Sequence, residues 1–111
     1  MIYFVTVMDE FKDEKNAKFC SPVSKNHMYW IPDNKATIGY FRSLEDAIKA
    51  VEENEQDIFE CTYNYAVIEA YSEGFYPVSE IQPLWFRENR QTGKADRIDP
   101  PVYNHIFQYA F

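Results

Sequence analysis

The chain begins with a run of apolar and β-branched residues, Ile2-Tyr3-Phe4-Val5-Thr6-Val7-Met8. Such a run predicts a strand, because branched and aromatic side chains pack well on a pleated surface. Residues 9–26 are largely polar, interrupted by Phe11, Phe19 and Cys20. They read as a long loop with a short strand near 18–20, and loops of this length in small domains often carry function. The short apolar run 27–31, HMYWI, is stopped by Pro32-Asp33-Asn34, a turn signal. Residues 36–42, ATIGYFR, read as the next strand.

The periodicity then changes from two to 3.6. In LEDAIKAVEEN, Leu44, Ala47, Ile48 and Val51 recur at i, i+3, i+4 and i+7, the apolar stripe of a helix over 44–54. Ser43 precedes it with Asp46 three residues on, close to a capping box. Glu45 and Asp46 suit the positive end of the helix dipole, and Glu45 can pair with Lys49 one turn later. Residues 62–72, TYNYAVIEAYS, return to a strand pattern with Tyr63, Tyr65, Val67, Glu69 and Tyr71 on one face. Glu73-Gly74 marks a turn. EIQPLWFREN, 80–89, reads as a strand whose Pro83 places its start at an edge or a bulge. QTGK, 91–94, is a hairpin turn into ADRID. Pro100-Pro101 ends that strand, and VYNHIFQYAF, 102–111, reads as a short helix or an extended tail whose aromatics dock on the body. The expected architecture is a single compact α+β domain over residues 1–111, an antiparallel sheet of about five strands with one main helix packed on it.

Composition narrows the functional classes. Two tryptophans, nine tyrosines and nine phenylalanines in 111 residues supply stiff contact surface of the kind that fills cores and interfaces. The net charge is −7, which argues against direct binding of nucleic acid. The charge is also uneven. Residues 45–73 hold nine carboxylates (Glu45, Asp46, Glu52, Glu53, Glu55, Asp57, Glu60, Glu69, Glu73) against Lys49, whereas residues 87–97 hold Arg87, Arg90, Lys94 and Arg97 against Glu88 and Asp96. The N-terminal apolar run is too short for a signal-peptide core, and no stretch approaches the ~18 apolar residues of a membrane span. A cytoplasmic location away from any membrane is therefore the expectation, with Cys20 and Cys61 as buried thiols.

The stretches GYFRSLEDAIKAVEEN, YNYAVIE, EGFYP and PLWF, covering roughly residues 36–86, resemble a family of short uncharacterised proteins of gut Firmicutes and their phages. The shared motifs are structural ones, and no activity attaches to that family. The resemblance implies a bacterial or phage cytoplasmic setting and the role of a mobile-element accessory, such as a counter-defence protein.

Catalysis finds little material. Cys61 with His105, or Cys20 with His27, are the thiol–imidazole pairs the chain offers. Cys61 follows Glu60 and has no cation near it in sequence, which disfavours the thiolate. The same four residues lack metal-binding spacing, and three glycines are too few for a phosphate-cradling loop. No enzyme activity, cofactor or metal is expected. The hairpin WFRENRQTGKADR is more informative. Arginine forks suit phosphates, and aromatic faces stack bases. A phosphorylated nucleotide-type ligand would thus be held by Arg87, Arg90, Lys94 and Arg97 and stacked on Tyr29, Trp30, Tyr40 and Trp85. The plainer reading is a solvated hairpin that blunts a sheet edge. A competing function is that of an acidic inhibitor, using Glu45 to Glu73 to imitate nucleic acid or to meet a basic host protein. The adjacent aromatic pairs, such as Tyr40-Phe41, serve equally as core or as interface, including one between copies in a homo-oligomer.

Overall fold

The computed structural model describes residues 1–9, 34–60, 63–75, 78–100 and 109–110. Among them are five strands, β1 (Ile2–Met8), β2 (Lys35–Phe41), β3 (Tyr65–Tyr71), β4 (Leu84–Asn89) and β5 (Lys94–Ile98), and one α-helix, α1 (Leu44–Glu52). The strands form an open antiparallel sheet in the order β2-β1-β3-β4-β5. This is the α+β arrangement the sequence pattern predicts. The expected short strand near 18–20, the apolar run 27–31 and the conformation of 102–108 lie outside the described residues.

The helix starts where its cap places it. The Ser43 hydroxyl accepts from the Asp46 N–H at 3.4 Å, satisfying one of the donors that a first turn leaves free. It ends at Glu52, two residues before the expected end, because Asn54 turns left-handed at φ 51°. The predicted stripe faces the sheet. Ala47, Ala50 and Val51 are buried, and Leu44 and Ile48 pack at the margin.

Register explains the two cores. Val5 pairs with Ile68, Val7 with Ala66 and Ala66 with Phe86. These residues point to the helix side with Ala47, Val51, Phe59 and Ala95. One residue out of step, Met8, Tyr65, Val67 and Trp85 form a second cluster on the opposite face, closed by Tyr109. β3 is consequently buried along all seven residues. Pro83 lies just before β4, and β5 covers that strand. The proline therefore marks neither an edge strand nor a bulge, and its missing donor costs the ladder nothing. The irregularity lies elsewhere. Val5 pairs with Gly39 but Thr6 with Thr37, so Ile38 is an extra residue on β2. It is left 44 % exposed at a bulge.

Candidate functional site

The β4–β5 hairpin is built as its turn residues dictate. The Asn89 carboxamide oxygen accepts from the N–H groups of Gln91 and Thr92 at 2.9 and 3.3 Å, and Gly93 takes the left-handed φ of 75° that the turn requires. Its cations are mostly engaged within the domain. The Arg87 guanidinium lies 5.3 Å from the centroid of the Tyr65 ring. Arg90 reaches Glu88 at 3.4 Å and donates to Asn64 Oδ1 at 3.1 Å. Lys94 meets Glu53 of the helix C-cap at 3.0 Å. Arg97 is exposed and pairs across the ladder with Phe86, on the helix side.

The described stacking residues, Tyr40 and Trp85, present no open ring beside these cations. Trp85 is only 2 % exposed. Tyr109 stands edge-on to it at 5.0 Å and Tyr65 at 6.5 Å, so this ring is a core element rather than an open stacking surface. Tyr40 is 62 % exposed, but it lies on β2, three strands from β4, or about 14 Å at the usual strand spacing. Tyr29 and Trp30 lie outside the described residues, as do Cys20, His27, Cys61 and His105. What remains on the hairpin side is a cavity of about 510 Å³ between Arg97, Pro83, Leu84, Trp85, Ile98 and Asp99. No cluster of metal-ligating side chains occurs among the described residues.

A second cavity, about 580 Å³, opens on the helix side beside β2. Val5, Gly39, Phe41, Ile58 and Tyr63 give it an apolar floor and wall, and Glu55, Asp57 and Glu60 stand at its mouth. The 3-10 turn Glu55–Asp57 that forms one rim is unusual. Asn54, Gln56 and Asp57 all have positive φ, 51°, 57° and 54°, a conformation disfavoured for residues bearing a Cβ. Side chains hold it in place. The Asn54 amide donates to the Gly93 carbonyl at 3.0 Å and its oxygen accepts from the Phe59 N–H at 3.4 Å. The buried Phe59 ring anchors the exit.

Sequence reasoning counted Glu69 among the acidic surface residues. It is instead fully buried, in the middle of β3. Its carboxylate accepts from the Tyr109 N–H at 3.0 Å through both oxygens and from the Ala110 N–H at 2.7 Å. Lys35 completes the clamp by donating to the Tyr109 carbonyl at 2.7 Å. Burial pushes the Glu69 carboxyl above its usual range, while the two backbone donors, the Tyr71 hydroxyl and the Lys35 charge pull it back. The same burial, with the Glu69 charge added, raises the Tyr71 and Tyr109 phenols. The signal was present in YAVIEAY, where one glutamate interrupts an apolar run. A carboxylate there must be paired or hydrogen-bonded. No family model matches the chain, and neither a curated protein nor a solved structure matches it.

Proposed function

We propose that this domain is a non-catalytic binding module that engages a positively charged partner protein through the acidic face of α1 and the turn after it. One observation carries the reading. Glu45, Asp46, Glu52, Glu53, Glu55, Asp57 and Glu60 are all exposed on this continuous segment against Lys49; of these, Glu53 is paired with Lys94, while Arg90 is drawn to Glu88 and Asn64. Negative potential concentrated on one face steers a basic partner and rejects nucleic acid. Such a face also suits imitation of a phosphate backbone, in keeping with an accessory protein of a bacterium or phage acting in the cytoplasm.

The test is capture of a partner from host extract on the immobilised domain. Bound protein is expected to elute as salt rises, since exposed charges are screened beyond about 8 Å at physiological ionic strength. Reversal of Glu52, Glu55 and Glu60 to lysine is expected to abolish capture and to leave the melting temperature nearly unchanged, because these side chains are exposed. Capture that survives both treatments defeats the proposal.

A second reading keeps a phosphorylated nucleotide-type ligand, now at the Arg97 cavity. It is favoured by an exposed guanidinium beside an apolar wall of Leu84 and Ile98, and opposed by Asp99 in the same wall. A panel of mono-, di- and cyclic nucleotides is expected to raise the melting temperature, by about 2.7 kcal/mol of stabilisation at 100 times the dissociation constant. Arg97→Ala should erase the shift. A flat panel removes this reading.

A further inference from the structure

Gly39 stands opposite Val5 on the helix-side face of β2. A Cβ built on it would meet no atom within 4 Å, and its φ lies outside the left-handed region. The backbone therefore does not require glycine here. The missing side chain opens the floor of the 580 Å³ pocket. Glycine within a strand gives up packing and adds unfolded-state entropy, and it recurs where a ligand approaches the chain closely.

The walls define what fits. Val5, Phe41, Ile58 and the Tyr63 ring accept an apolar body, and the volume is that of an ordinary small-ligand pocket. The mouth carries Glu55, Asp57 and Glu60. The Asp57 carboxylate has one long contact, 3.5 Å, from the Asn54 amide. An anion meets three carboxylates on a chain of charge −7, and a neutral apolar ligand gains nothing from these exposed groups. A cation on an apolar stem meets both requirements, with the aromatic rings adding attraction to its charge.

We infer that this pocket binds an organic cation, an apolar stem ending in an ammonium or guanidinium group, either free or as a lysine or arginine side chain of the basic partner. The inference rests on the reading of this face as the binding surface and gives that surface its anchor point.

Isotope-labelled protein is titrated with 2-phenylethylamine, with 3-phenylpropionate as the matched anion, and with acetyl-phenylalanyl-lysine amide. The amine is expected to shift the amide signals of Gly39, Gln56 and Ile58 saturably. The propionate is expected to bind at least about tenfold more weakly, a modest electrostatic preference. Gly39→Phe fills the floor, keeps every charge and suits a strand; it is expected to abolish the shifts with the fold intact. Glu55→Gln with Glu60→Gln should erase the preference for the amine over the propionate. Tighter binding of the dipeptide than of the amine supports the assignment with the partner's side chain as source, and the reverse order supports it with a free amine. Absence of saturable shifts, equal binding of the propionate, or amine binding that survives Gly39→Phe overturns it. The two readings fail separately. A charge-dependent partner with no amine binding removes the pocket assignment alone, and amine binding beside a capture indifferent to charge reversal removes the acidic-face reading alone.

Discussion

Glu69→Ala is expected to destabilise the domain by about 3 kcal/mol, since it leaves buried N–H groups without acceptors at roughly 1–3 kcal/mol each and opens a void in the central strand. The donors are those of Tyr109 and Ala110, both buried. Lys35 loses the charge it faces but keeps the Tyr109 carbonyl. The loss should appear as a lower urea midpoint and as faster exchange of the Tyr109 and Ala110 amides. Glu69→Gln is expected to cost less, because one amide oxygen at the Oε1 position accepts from both residues. The pair also reports pH. Burial raises the folded carboxyl above its ordinary value of 4.5, so the folded state holds the proton more tightly than the unfolded chain. The associated stability is complete below that value and is lost as pH rises through the folded pKa. Glutamine has no such loss, so the stability of Glu69→Gln relative to the parent should rise with pH above about 4.5. Parallel stability curves would show that this carboxyl is not displaced.

Val51→Asp is expected to be equally damaging, on the order of 3 kcal/mol or more, because it places an unpaired carboxylate in an apolar core. Val51 has no exposed surface and lies in the cluster of Val5, Val7, Phe59 and Phe86. Against a total stability of about 5–15 kcal/mol, either substitution removes a large share. Chemical denaturation followed by tryptophan fluorescence reads both. Trp85 packs on Tyr109, so the tryptophan signal also reports loss of the second core. A Val51→Asp variant with the parent's midpoint would mean that the helix does not bury this stripe.

What the sequence revealed and what it hid divide along physical lines. The Leu44 to Val51 stripe, the Ser43 cap and the QTGK turn are short-range signals. Their geometry follows from neighbours three or four residues away, and α1 and the β4–β5 hairpin form there. The roles of Glu69 and Trp85 are set at long range. Whether Glu69 lies in water or under the chain depends on Tyr109, forty residues on. Alternation sorts the residues of β3 into two faces, but it does not reveal that both faces are covered there. The pocket was hidden for a related reason. It arises from Gly39, an extra residue at Ile38 and a left-handed turn at Gln56, none of which follows a repeating pattern.

The strand order also dictates when the fold can be completed during synthesis. The middle of the sheet is β1 against β3, and Ile2 pairs with Tyr71, so β1 waits until β2, α1 and the chain through Tyr71 have been made before its inner neighbour is complete. Closing so long a loop is entropically slow. β2 arrives earlier and can pair with β1, which shields one side of an otherwise exposed hydrophobic strand in the interval. The backbone donors that hold Glu69 lie forty residues beyond it, at Tyr109 and Ala110, so they reach the carboxylate only after β4 and β5 have been made.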